Sequence, residues 1–381
     1  MTPLEEAALH RDWQRFTGLT FLFGFGFAVY SGVFQNFLRD VLNAKALDLG
    51  ILESTREIPG LLAALMAGTL VRLAESRIAA VGLAVTGLGI AASGLTHQFP
   101  PLILITVFWS VGFHLYATVQ GAIILALAKG KEGGRHLGRM SGVGAIATIA
   151  GLGVAFLMSQ LLPKGVYEPY FVVGGVSIMG SGWLCAKLSA HAEGGERKRI
   201  VFRKEYNLFY ILTFLEGCRR QIFSIFASFA LVLIYHVPVW EMLILMLTNA
   251  VLIALTAPAI GKLVDLKGER NPLSWYAIGL IVVFLGYATV KTKWALEALF
   301  LIDNILFSFN VGFTTYLNKI VRKGELTPCM AMGVTMNHIA AVTVPVGGAL
   351  LWRMTDNYQL PFWVGVGIAA VSLVVTRWLP S

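Results

Sequence analysis

The chain has 381 residues, of which 56% are hydrophobic and only 13% charged, with a formal net charge of +9. Soluble domains carry about 25% charged residues, so a water-soluble globular protein is excluded and an all-α membrane protein is expected. Three separated cysteines (Cys185, Cys218, Cys329) form no CxxC pair, and neither a disulfide framework, a metal site nor a resident cofactor is expected.

The N-terminal stretch MTPLEEAALHRDWQRF carries acids where a cleaved signal would carry cations, so 1–15 reads as a cytoplasmic segment. A helix needs about 20 mostly apolar residues to cross the hydrocarbon core. That rule predicts spans at 16–37, 46–70, 78–96, 101–127, 140–162 and 169–187. After the polar stretch 188–206, a second set follows at 207–235, 239–261, 273–290, 295–318, 329–352 and 361–378. The segments HQFPP, KGKEGGR, DLKGER and TDNYQLP punctuate them as turns.

With both termini cytoplasmic, the cytoplasmic segments hold 21 of the 30 Lys and Arg residues. The opposite side holds six (Arg39, Lys45, Lys164, Lys291, Lys293, Arg353), and Arg56, Arg219 and Arg220 fall inside spans. This positive-inside bias accounts for the basic charge without a nucleic-acid partner. A multi-pass protein of the cell (inner) membrane, monomeric in the lipid bilayer, is expected.

The loop after span two, GTLVRLAESR (68–77), matches the loop after span eight, GKLVDLKGER (261–270), at five of ten positions with an offset of 193. The repeat and the central linker agree on a six-helix bundle at 16–187, a cytoplasmic linker at 188–206 and a second bundle at 207–378. On these features the chain resembles the major facilitator superfamily. That resemblance implies twelve transmembrane helices in two pseudo-symmetric six-helix bundles, moving a solute by alternating access. The family's signature between spans two and three, Gly-x-x-x-Asp-Arg/Lys-x-Gly-Arg-Arg, is kept in the second copy by Gly261, Asp265, Gly268 and Arg270. The first copy keeps Gly68 and Arg77 but has Arg72 in place of Asp. The resemblance assigns the second copy a gating role at the cytoplasmic side. Span five lacks the family's Gly-Pro-x-x-Gly-Gly pattern and span four its usual Arg, so export is not inherited.

Charge inside a bilayer costs about 2.5–3.5 kcal/mol per residue on insertion scales, so its placement is informative. Spans three, six, nine and twelve have no charged residue in their cores and read as outer supports. Span seven carries Glu216, Arg219 and Arg220 on one helical face, with an apparent excess of cation. A salt-bridge network reaching Asp303 and a direct role in binding substrate both fit. Span two carries Glu53, Arg56 and Glu57 before Pro59-Gly60, as an outer gate, a proton-titrating pair or a static cluster. Asp303, with Asn304 and Asn310 in span ten, is a proton-coupling candidate. Tyr30, Gln35 and Asn36 in span one, His114 and Gln120 in span four, and Asn337 and His338 in span eleven are further polar candidates, each also able to serve as an interhelical hydrogen-bond partner.

No HExxH, GxSxG or P-loop motif is present, which points away from an enzyme and from ATP as energy source. The expected function is a secondary carrier driven by protons, with a small organic anion as cargo because Arg219 and Arg220 offer planar, permanently charged donors. Efflux of an amphipathic compound is the alternative. Thioether pairs (Met242 with Met246, Met332 with Met336) keep a copper carrier open. A non-transporting membrane receptor is the remaining class.

Overall fold

A computed structural model describes residues 2–62, 74–128, 133–189, 203–322 and 325–380. Gly68 and Arg72 of the first signature copy, the end of the predicted second span, and 190–202 of the linker lie outside the described residues. Each of the twelve predicted spans corresponds to helix. They are α1 (Pro3–Asp40), α2 (Ala46–Leu61), α3 (Glu75–Ser93), α4 (Phe99–Leu127), α5 (Gly133–Leu161) and α6 (Glu168–Ala186). Span seven is α7 (Asn207–Gln221), a π-helical turn (Ile222–Ala227) and α8 (Ser228–Leu233) in continuous succession. Next come α9 (Val239–Lys267) and α10 (Arg270–Thr289). Span ten is α11 (Lys293–Leu306), a 3₁₀ turn (Phe307–Asn310) and α12 (Val311–Ile320). The last two are α13 (Leu326–Thr355) and α14 (Leu360–Thr376). Among the described residues, nine helical segments are long and apolar enough to cross a membrane.

Helix α1 starts at Pro3 rather than near residue 16, and the cause is local. Thr2 caps the Glu5 amide while the Glu5 side chain accepts from the Thr2 amide, and Pro3 occupies the first helical position. This reciprocal cap satisfies two donors that a helix start otherwise leaves unpaired. The polar segment therefore continues the first span as helix. At the far end of α9, Gly268 takes φ +71°, a left-handed conformation that costs glycine little, and so reverses the chain within the signature loop.

Contacts divide the chain into two compact units. The first comprises Met1–Asn43, Ile58–Glu196 and Val239–Leu247; the second comprises Ala44–Glu57, Arg197–Pro238 and Thr248–Ser381. In the first unit α3 packs against α4 and α6, and α1 packs against α5 and α6. Lipid tails supply no hydrophobic drive between helices, so close backbone approach must hold them. Glycine faces glycine at these crossings. A Cβ on Gly26 would lie 2.4 Å from the Gly174 carbonyl oxygen, one on Gly82 2.6 Å from that of Gly112, and one on Gly87 2.5 Å from that of Gly175. Asp12 on α1 accepts from the Ser189 amide and hydroxyl, and Arg15 donates to the Lys187 carbonyl at 2.5 Å, which fastens the end of α6 to α1.

In the second unit α7 packs against α13 and α14, and α10 against α14. Here a bulky side chain usually fills the space over a glycine: Phe226 lies over Gly348 and Phe284 over Gly365. The start of α2 belongs to this unit and lies on α13. A Cβ on Gly50 would meet Ala349 at 2.4 Å, and the Ser54 hydroxyl accepts from the Val346 amide at 3.1 Å. That amide follows Pro345, which interrupts the regular helical ladder of α13. Outside the spans, Glu325 accepts from Arg203 (2.7 Å) and from the Tyr206 hydroxyl (2.7 Å), and these two groups hold its carboxyl below the usual range.

Candidate functional site

Span seven positions the principal charge network. Glu216 and Arg219 are one helical turn apart on α7, so their side chains meet along one face. The Arg219 Nε donates to Glu216 Oε1 at 3.1 Å, and its Nη2 stands 3.0 Å from the same oxygen. Its Nη1 donates to both oxygens of Asp303 on α11, at 3.0 and 2.9 Å. Glu216 also accepts from the Tyr276 hydroxyl of α10 at 2.5 Å and from the Asn310 amide at 3.1 Å. Arg219 is only 2% exposed, Asp303 3% and Glu216 7%. One guanidinium is thus shared by two carboxylates in a site nearly sealed from solvent.

Arg220 stands apart from this arrangement. Its guanidinium lies 5.3 Å from the Phe307 ring, whose distance from the Arg219 guanidinium is 5.4 Å, and it is exposed. Among the described residues Arg220 makes no ion pair. The two neighbouring arginines, equivalent in the sequence, therefore have different surroundings: Arg219 is ion-paired, whereas Arg220 feels Glu216 only at a distance. Asp303 likewise has a cationic partner rather than only amide neighbours. After Gln221, the last residue of α7, the π-helical turn inserts a wider ring of hydrogen bonds, a feature often found at functional sites.

The second cluster joins α2 to α13. Arg56 pairs with Glu53 at 2.5 Å and with Glu57 at 3.3 Å, and Glu57 meets His338 Nδ1 at 3.1 Å. Asn337, the neighbour of His338, packs on α7: a Cβ on Gly217 would lie 2.7 Å from its side-chain oxygen. Asn304 is not drawn into either cluster, because its amide donates to the Phe300 carbonyl of its own helix at 2.8 Å. Tyr276 and Phe307 were not among the sequence candidates. Tyr276 lies on span nine, which its lack of charge marked as an outer support, and a lone tyrosine in a span carries no periodic signal.

The polar candidates of spans one and four belong to the first unit. Tyr30 sits in an aromatic nest with Phe34, Trp109 and Phe171 at ring separations of 5.0 to 5.7 Å. Asn36 is buried, Gln35 is part-buried, and His114 Nδ1 lies 2.9 Å from the Ser110 carbonyl of its own helix. Gln120 instead lines a cavity of about 420 Å³ formed by α1, α4 and α5. Thr20, Phe23, Phe27 and Ser31 border it from α1, and Met140, Ser141, Gly144 and Thr148 from α5. Among the described residues, no charged side chain lines it.

In the signature loop, Asp265 is exposed near the end of α9 and makes no ion pair among the described residues, and Arg270 opens α10. The adjacent Glu269 binds Lys319 at 2.8 Å. Burial pushes the Glu269 carboxyl up, but Lys319 and nearby donors outweigh this and hold it below the usual range.

The family model of the Major Facilitator Superfamily matches residues 16–345. The chain belongs to this superfamily. No curated protein sequence matches it. Among solved structures, a mutant form of the nucleoside transporter NupG is similar over 97% of this chain and 99% of that one, with a TM-score of 0.80 and 13% identity. An inward-facing bacterial homologue of the iron transporter ferroportin gives a TM-score of 0.77 at 13% identity, covering 99% and 98%. A D-xylose-proton symporter gives 0.73 at 14% identity, covering 97% of each chain. At these identities the likeness establishes the fold: a multi-pass membrane protein with the superfamily's helical architecture, as its composition and spans led one to expect.

Proposed function

We propose that this chain is a proton-coupled secondary carrier that moves a small organic solute by alternating access. The observation that carries the reading is the division of buried Arg219 between Glu216 and Asp303. These three buried groups carry one negative charge in excess; Arg220 offsets it through Glu216 only at a distance, without an ion pair, and burial makes such an excess costly. A proton is the smallest ion that balances it. Its arrival on Asp303 leaves Arg219 paired with Glu216 of its own helix and loosens the tie between α7 and α11. The D-xylose-proton symporter among the similar structures fits this coupling. The gating role of Gly261, Asp265, Gly268 and Arg270 at the cytoplasmic end belongs to the same proposal.

The test uses proteoliposomes with a pH-sensitive dye inside and a panel of uridine, D-xylose and benzoate outside. Asp303→Asn keeps the shape of the side chain but removes its charge. It is expected to abolish solute-linked proton entry while leaving solute exchange, which needs no net proton movement, within about threefold of wild type. Solute uptake still driven by an imposed pH gradient in this variant would overturn the assignment.

A small organic anion as cargo retains one specific observation, the exposed Arg220 guanidinium with no ion pair among the described residues. Orientation follows from the distribution of Lys and Arg. With both termini cytoplasmic, single cysteines at Lys164, Thr292 and Asn357 react with an impermeant maleimide from outside, and those at Gly133 and Gly268 do not. Outside labelling at Gly268 would reverse the orientation.

A further inference from the structure

We propose that the cavity between α1, α4 and α5 is the cargo site, and that it selects an uncharged solute bearing a flat ring and hydroxyl groups. This rests on the carrier reading for its purpose, but the physical case is separate.

The lining supplies hydrogen bonds without charge. Thr20 donates its hydroxyl proton to the Phe16 carbonyl at 2.8 Å and Thr148 to the Gly144 carbonyl at 3.0 Å, so both present only acceptor lone pairs to the cavity. Gln120 and Ser141 have no hydrogen-bond partner among the described residues, and they add an amide with both functions and a free hydroxyl. These groups match the mixed donors and acceptors of a hydroxylated solute. A carboxylate or phosphate would leave water here without meeting a cation, and burying an unpaired charge is far more costly than burying a paired hydroxyl.

Two aromatic rings share the α1 wall with Thr20 and Ser31. Phe23 and Phe27 stack on each other at 5.9 Å, and both lie near Phe113, at 6.1 and 5.6 Å. Phe23 and Phe27 are lining residues and Phe113 is not, so these two rings supply the aromatic surface against which a flat ring packs. The volume of about 420 Å³ lies within the ~300–1,000 Å³ common for small-molecule sites.

Two glycines keep the space open. A Cβ built on Gly121 or on Gly144 meets nothing within 4 Å, although both residues line the cavity. At Gly26 and Gly82 in the same unit glycine serves close helix contact. At Gly121 and Gly144 no neighbour requires it, and a larger side chain would project into the cavity.

The experiment is equilibrium binding of labelled uridine to the purified full-length protein in detergent, with no ion gradient. Uridine is uncharged, and its flat ring is joined to a hydroxylated sugar; uridine 5′-monophosphate is its charged counterpart. Wild type is expected to bind uridine saturably and the monophosphate at least ~100-fold more weakly. Gly121→Leu and Gly144→Leu each reduce uridine affinity at least ~10-fold, and Gln120→Ala reduces it by a comparable factor. Gly153→Leu is the control: it lies on the opposite face of α5, at about 100° per residue, and its Cβ also meets nothing within 4 Å. It leaves affinity unchanged, and the melting temperatures of all four variants stay near wild type.

Unaltered uridine affinity in both leucine variants overturns the site. So does equal or tighter binding of the monophosphate, or no saturable binding of uridine by wild type. Uridine bound but not moved by a pH gradient would instead overturn the coupling to protons and leave the cavity assignment standing.

Discussion

Asp303→Ala is expected to destabilise the folded protein by about 3–5 kcal/mol, read as a fall in melting temperature in detergent and a loss of monodisperse material. Removing this carboxylate deprives buried Arg219 of two hydrogen bonds of 2.9 and 3.0 Å and leaves a void on α11 where the carboxylate stood. Arg219 keeps only Glu216 as its ion partner, and its Nη1 hydrogens that faced Asp303 stay desolvated and unpaired. The triple variant Glu216→Gln, Arg219→Met and Asp303→Leu, which removes all three buried charges, should recover most of the loss. Asp303→Asn should be milder than Asp303→Ala, since its amide oxygen still accepts from Arg219 and Glu216 then balances the guanidinium. If Asp303→Ala melts within about 1 kcal/mol of wild type, the network does not hold α7 to α11.

Lysine substitutions at Arg219 and Arg220 are expected to give sharply different results. Arg219 reaches Glu216 through Nε and Nη2 and Asp303 through Nη1, on two helices at once. A single ammonium cannot span both carboxylates, so Arg219→Lys should cost about 2–3 kcal/mol and reduce proton-driven uptake at least ~10-fold. Arg220 holds no carboxylate and rests against Phe307, so Arg220→Lys should change stability by no more than about 0.5 kcal/mol. Uptake of uridine and of benzoate by this variant then decides what Arg220 serves. A loss confined to benzoate supports an anionic cargo at this guanidinium, whereas equal transport of both denies it. Matching destabilisation by the two lysine variants would contradict the division of labour seen in the network.

Much of this protein was legible in the chain itself. Span positions follow from hydropathy summed over a length set by membrane thickness, a one-dimensional quantity, and each predicted span corresponds to helix. The signature residues Gly261, Asp265, Gly268 and Arg270 and the match to 68–77 carried the superfamily resemblance, which the family model bears out. The intramembrane charges were equally visible, because a bilayer makes every charged residue in a span exceptional. That Glu216 and Arg219 meet follows from their separation by one helical turn.

Tertiary structure decided what those charges do. Arg219 and Arg220 point about 100° apart around α7, and only the placement of α11 determines that the first meets Asp303 while the second faces Phe307. Tyr276 enters the network because α10 lies against it, although nothing in span nine distinguishes that tyrosine from a packing residue. The start of α2 packs within the second unit through Gly50 and Ser54, a long-range contact that no local pattern encodes. Gly121 and Gly144 read in the sequence like any glycines of a membrane helix. Their meaning depends on what would stand opposite a Cβ, and here that is open space, which exists only once three helices are in place.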